Sequence, residues 1–274
     1  MNTSFELLEK RFQGYVADFF NGDADNDYHI DLKLRHSLRV YELAKRIVAG
    51  EALDPAAAQV ALISALFHDT GRFPQFQRYK SFHDPSTANH ARLGIRALIE
   101  ADLLQGLERH VRRVVLGAVF LHNVRALPDG LREPLNAAVR VVRDSDKLDI
   151  VPVVLEHLEA SASGSSVVTL GLQPHPSNYT HSIYEQVMAG ESARYEEMRW
   201  ANDFRLLVLG WIYDLNYPTS IGIFLERGYV DTLFTALPDD APMRELREKV
   251  MAALAAREPA SGPASGLDEQ TPPR

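Results

Sequence analysis

A chain of 274 residues, 46% of them hydrophobic, can bury one sizeable core, alone or with an appendage. It has no cysteine, which removes disulfides, zinc–thiolate sites, iron–sulfur clusters and thiol nucleophiles, so any metal must sit on nitrogen and oxygen. A formal charge of -8 offers no basic footprint for a phosphate backbone and disfavours nucleic acid as a partner.

Thr3 and Glu6 have capping-box spacing, and Phe5, Leu8, Phe12, Tyr15, Val16 and Phe19 follow at intervals of three and four, which predicts an amphipathic first helix. The acidic stretch 21–27 ends it. That stretch lacks the glycine and terminal glutamate of a calcium loop and reads as a solvated connection. A second helix, from about Asp31 to Val48, carries His36, with Leu32 and Val40 one turn to either side. Pro55 suits the first position of a third helix, which runs through the apolar segment 60–67 to His68.

Asp69 and Gly71 open a predicted loop from Thr70 to Asp84, long enough to shape a site rather than merely connect. Its Phe73, Phe76, Tyr79 and Phe82 stand among Arg78 and Lys80. Packing onto the bundle is the first reading of these rings, and stacking of a base or sugar the second. His83-Asp84 follows no apolar helix and precedes Pro85, which argues against a metal pair there.

Ser86 or Thr87 can cap a helix bearing His90, Leu93, Ala97 and Leu98, and another helix runs from about Leu107 to His122. Arg109, Arg112 and Arg113 read as its solvated face. Pro134 begins the next helix, with Val139, Val142, Asp146, Ile150 and Val153 on one stripe. Residues 161–177, rich in serine, glycine and proline, mark a break in which Val167 to Leu170 suggest a short strand. Segments 179–189, 195–215, 221–237 and 242–257 predict further helices, and 258–274 reads as a disordered tail. With no run of about 18 apolar residues and no signal-like start, the chain is expected to be soluble and cytoplasmic, without a membrane partner. No phosphate-binding glycine loop or serine-hydrolase elbow occurs.

His36, His68-Asp69, His90, His122 and Asp146 thus lie on helices or at their ends, in the order H…HD…H…H…D. Neutral imidazoles and carboxylates suit a divalent cation that polarises a phosphoryl oxygen and acidifies bound water. Together with Gly71-Arg72 after His68-Asp69, the pattern resembles the HD-domain superfamily over roughly residues 30–160. Most of its members are metal-dependent phosphohydrolases, and a few are di-iron oxygenases.

The resemblance implies an all-α fold, an HD-domain helical bundle with additional C-terminal helices. The core would span 1–160, a helical extension packed on it 161–257, and the tail 258–274. It also implies His36, His68, Asp69 and Asp146 as shared ligands, with Asp69 able to bridge, and His90 and His122 completing a second metal position or a substrate-facing rim. Asp144 is the alternative to Asp146. Two residues apart on a helix they face different ways, and Asp146 better matches the family's Asp-Arg/Lys-Leu pattern, leaving Asp144 to orient a histidine. Asp149 reads as a surface or capping carboxylate.

Arg72 stands where many HD proteins carry a basic residue; it either clamps a phosphate oxygen or pairs with a carboxylate. The glutamate that serves some nucleotidase branches as general acid is missing, which leaves His90, His122 and Lys147 as proton-donor candidates. The expected function is hydrolysis of a small phosphorylated metabolite or nucleotide by water activated on one or two ions. Manganese, iron, cobalt, nickel or zinc suits the donors better than magnesium. A di-iron oxygenase, a regulatory or binding module with little turnover, and, less favoured by charge, a nucleic-acid phosphodiesterase are the rivals. The aromatic C-terminal helices suit either a cover over the bundle or pairing into a homodimer.

Overall fold

The structure, a computed structural model, describes residues 4–159 and 172–257. Helix α1 (Phe5–Ala17) is capped by Ser4, whose hydroxyl accepts from the Leu7 amide, and it buries the stripe Leu8, Phe12 and Val16. Thr3 lies outside the described residues. Helix α2 (Ala24–Gly50) begins at Ala24 rather than Asp31 because the acidic run is its start. Asp23 accepts from the Asn26 amide at 2.8 Å, and Asp27 takes the amides of Asn21 and Gly22, each at 3.0 Å. Negative charge at a helix N-terminus is favourable, so these carboxylates are spent on the turn.

Helix α3 (Pro55–Phe67) is capped by Asp54 with proline in its first turn, and between Val60 and Phe67 only Leu62 escapes full burial. A helix apolar on nearly every side belongs in the centre. Helix α4 (Arg72–Tyr79) occupies most of the segment expected as a loop. It forms because Phe73, Gln75 and Phe76 are buried on one face, and it stops at Lys80, which adopts the left-handed conformation at φ 51°. Phe73 and Phe76 are closed to a stacking base, so packing is their role.

A 3-10 turn, Asp84–Ser86, leads to α5 (His90–Glu100), which is capped by Asn89 rather than Ser86 or Thr87. Helices α6 (Arg109–Leu121) and α7 (Leu135–Glu159) follow, the latter continuous through Pro152. Beyond residue 172 come α8 (His181–Met188), α9 (Ala201–Gly210), α10 (Pro218–Glu226), α11 (Tyr229–Ala236) and α12 (Ala241–Ala255). The helix expected over 195–215 is divided. Asp203 accepts from the amides of Thr180, Arg199 and Trp200, which starts α9 only after the 3-10 turn Tyr195–Glu197. The helix expected over 221–237 breaks at Gly228, whose φ of 64° suits glycine.

The described residues are all-helical apart from turns and an isolated bridge, Gln173 to Trp200. The strand expected at 167–170 and the tail at 258–274 fall outside them. Helices α2, α3, α6 and α7 pack together as the central bundle. Helix α1 closes one side, the Phe12 ring meeting Phe67 edge-on at 5.7 Å and Phe73 at 5.9 Å. Helix α10 lies against α7 and α2, and α9 against α7, so the C-terminal helices cover the bundle. Among the described residues, no helix is long and apolar enough to cross a membrane.

Candidate metal centre

His36 sits mid-way along α2, His68 caps the C-terminus of α3 with Asp69 next to it, His90 opens α5, His122 caps the C-terminus of α6, and Asp146 lies on α7. Each imidazole is fixed through Nδ1. That of His36 donates to Asp149 at 2.7 Å, that of His68 to the Ala65 carbonyl at 2.8 Å, and that of His90 to Asp84 at 2.6 Å. His122 donates to the Val119 carbonyl at 2.6 Å. An Nδ1–H so engaged leaves Nε2 as the lone-pair atom, the tautomer a metal needs.

The Nε2 atoms converge in two pairs. Those of His36 and His68 are 3.3 Å apart, and those of His90 and His122 are 3.0 Å apart. Asp69 stands between the pairs. Its Oδ2 is 3.4 Å from His36 and 3.7 Å from His68, and its Oδ1 is 3.5 Å from His90 and 3.9 Å from His122. Asp146 Oδ1 joins the first pair, at 3.1 Å from His36 and 3.6 Å from His68. Donors ~2.1 Å from one ion stand ~3.0–3.4 Å apart at octahedral or tetrahedral angles. The two imidazole pairs and the His36–carboxylate distances fall in that range and the others run to 3.9 Å, so the donors suit divalent cations held in two groups that share the Asp69 carboxylate; lone pairs aimed at each other across 3.0 Å repel unless a cation separates them.

In the metal-free protein the electrostatics put a second proton on His36, which a bound ion would displace. Burial and the Lys33 ammonium push His36 down, but the carboxylates of Asp146, Asp149 and Asp69 outweigh them and hold it up at about 10. Burial, then His90 and His68, push His122 down to about 3; burial and Arg72 lower His90 despite Asp84. Burial opposes ionisation of Asp69 and Asp146. For Asp69, Lys33, His68 and Arg72 prevail over it, and for Asp146, His36 and His68 do, so both carboxyls lie well below the usual range. Ionised carboxylates buried among imidazoles call for positive charge at their centre.

The family model for the HD domain matches residues 34–151, a span holding all four histidines and both carboxylates of this cluster. The chain carries an HD domain. No curated protein and no solved structure is matched by the chain.

The HD-domain cluster is buried but not sealed. Side-chain exposure is 6% or less at His36, His68, His90 and His122, against 21% at Asp146, 17% at Lys33 and 16% at Arg72, which places the opening beside these three. Tyr195, exposed over 44% of its surface, feels this neighbourhood: burial of part of the ring and the Asp146 carboxylate raise its phenol, with Arg72 opposing.

Other expected site residues are placed elsewhere. Asp144 turns away from the histidines, accepting from the Asn216 amide at 2.8 Å, Asn216 Nδ2 at 2.7 Å and the Tyr217 amide at 3.1 Å. It ties α7 to the start of α10, and neither faces the cluster nor orients a histidine. Asp149 is buried rather than superficial; besides His36 it accepts from Arg39 at 2.7 and 2.9 Å. Lys147 pairs with Asp214 at 3.2 Å, toward the C-terminal helices. His83 meets Ser86 instead of forming a metal pair with Asp84.

Arg72 adopts the carboxylate pairing. Its Nη1 donates to Asp84 and Gln75 at 2.8 Å and to the Phe82 carbonyl at 2.6 Å. Its Nε, 3.5 Å from Asp69 Oδ1, is buried with no hydrogen-bond partner. Sequence reasoning missed four supporting residues: Lys33, Asp84, Asp149 as the partner of His36, and Arg143, which donates to the carbonyls of His122, Val124 and Arg125 and so holds the end of α6. Only Lys33 left a local signal, one turn before His36 on the same helix face.

Proposed function

We propose that this protein is a metal-dependent phosphohydrolase that uses water to cleave a phosphate ester or anhydride of a small phosphorylated metabolite or nucleotide. The observation that carries this reading is the pair of donor groups joined by Asp69, open to solvent beside Lys33 and Arg72. His36, His68, Asp69 and Asp146 would hold one ion, and Asp69, His90 and His122 a second, with manganese, iron, cobalt, nickel or zinc suiting the imidazoles better than magnesium. Divalent ions so held supply a Lewis acid for the phosphoryl oxygen and hydroxide at neutral pH. Asp84 and Asp149 keep His90 and His36 in the ligating tautomer. As ligands, His90 and His122 commit Nε2 and hold no proton there for a leaving group.

Protein of measured metal content, supplied with each cation in turn and assayed for phosphate release from a broad ester and anhydride panel, tests this. Turnover is expected, falling at least ~10³-fold in Asp69→Ala. A fully loaded protein that releases phosphate from nothing would contradict it. Two adjacent positions sharing one carboxylate among four imidazoles also suit a pair of irons, the basis of the second reading, an oxygenase. Two irons per chain with oxygen-dependent turnover and no phosphate release would select that reading.

A further inference from the structure

We infer that Lys33, which lies just before the matched HD span, is a substrate-binding residue that with Arg72 receives the phosphoryl group of a dianionic phosphomonoester. The inference rests on the phosphohydrolase reading and narrows its substrate class. Lys33 Nζ donates to Asp69 Oδ2 at 2.8 Å, while Arg72 Nε approaches Oδ1 of the same carboxylate at 3.5 Å. The two cations therefore straddle the residue that joins the metal positions. They also share one ring: Lys33 Nζ stands 5.4 Å and Arg72 Cζ 6.0 Å from the centre of Phe82.

Neither cation is used up by these contacts. An ammonium has three donors, of which Asp69 takes one. Arg72 is anchored at Nη1 by three acceptors, which fixes the plane of its fork, and its buried Nε has no partner. Both side chains are partly exposed, Lys33 at 17% and Arg72 at 16%, as is Asp146 at 21%. A rigid guanidinium edge and a mobile ammonium on either side of the bridging carboxylate complement a tetrahedral group carrying two negative charges. A diester brings one charge and a second organic arm beside the Phe82 ring, and is the poorer fit.

Metal-loaded wild type, Lys33→Met and Lys33→Arg, each with measured metal content, would be titrated with inorganic phosphate and assayed on a phosphomonoester and its methyl diester. Lys33→Met is expected to keep its metal, to bind phosphate at least tenfold more weakly, and to raise KM for the monoester at least tenfold with a smaller change in kcat. The singly charged diester should lose less than the monoester in Lys33→Met, and Lys33→Arg should recover most of the loss. Wild-type phosphate affinity in Lys33→Met, or losses that merely follow lost metal, would overturn the inference. Should wild type bind phosphate through Lys33 yet hydrolyse no ester, the hydrolase reading falls while this binding role stands.

Discussion

Asp144 spends both oxygens on the backbone and side chain of residues 216–217, while Asp146, two positions on, directs Oδ1 at His36 and His68. Their alanine variants should therefore fail differently. Asp146→Ala should lose metal and keep the fold. Asp144→Ala should keep metal and lose about 2–6 kcal/mol, since it strands two backbone amides at roughly 1–3 kcal/mol each; metal analysis beside denaturant unfolding separates the two.

The histidines should also set the pH dependence of the metal-free protein. His122, depressed to about 3 from 6.5 by burial and its neighbouring imidazoles, leaves the unfolded chain with more bound protons, so its stabilising contribution is present above pH 6.5 and lost as pH falls toward 3. His36, held up at about 10, contributes fully below pH 6.5 and less as pH rises through 10. Urea unfolding across that range should show stability falling on both sides, with His122→Gln flattening the acid limb and His36→Gln the alkaline one. Unchanged limbs in both variants would contradict the assignment.

The six cluster residues were legible because helix-sized spacings repeat in a chain otherwise patterned as helix. Their partners were not: Lys33 meets Asp69 across 36 residues and Asp149 meets His36 across 113, contacts that no local pattern encodes.

Helix α4 shows what periodicity misses at the scale of an element. With eight residues, a proline at 74 and no side-chain cap at Gly71, it looks like a loop, and tertiary burial of Phe73, Gln75 and Phe76 makes it a helix. Its start depends on a close approach. A β-carbon on Gly71 would stand 2.0 Å from the His90 carbonyl and 2.3 Å from the Gly94 amide, both backbone atoms of α5 that cannot step aside singly. Gly71→Ala should push α5 outward, costing about 3 kcal/mol or more, and should draw His90 away from His122. Loss of metal from the position formed by Asp69, His90 and His122, measured with thermal unfolding, checks this; wild-type metal content and Tm would contradict it.

At the scale of the whole molecule, the cluster joins α2, α3, α5, α6 and α7, so it exists only once the bundle has closed. Ligands that bind the folded state alone stabilise it, by about 4.1 kcal/mol at a thousandfold excess over Kd, and a chelator should lower Tm accordingly. The helical character of the C-terminal region was legible from its aromatic spacing. Its ties to the bundle were not, because Asn216 reaches Asp144 only through the way α9 and α10 lie on it.

The direct measurement is elemental analysis of wild type beside Asp69→Ala, both purified without a chelator. Two divalent ions per chain are expected in wild type, and loss from both positions in the variant, because one carboxylate serves each. An Asp69→Ala protein that keeps the wild-type complement would contradict the account.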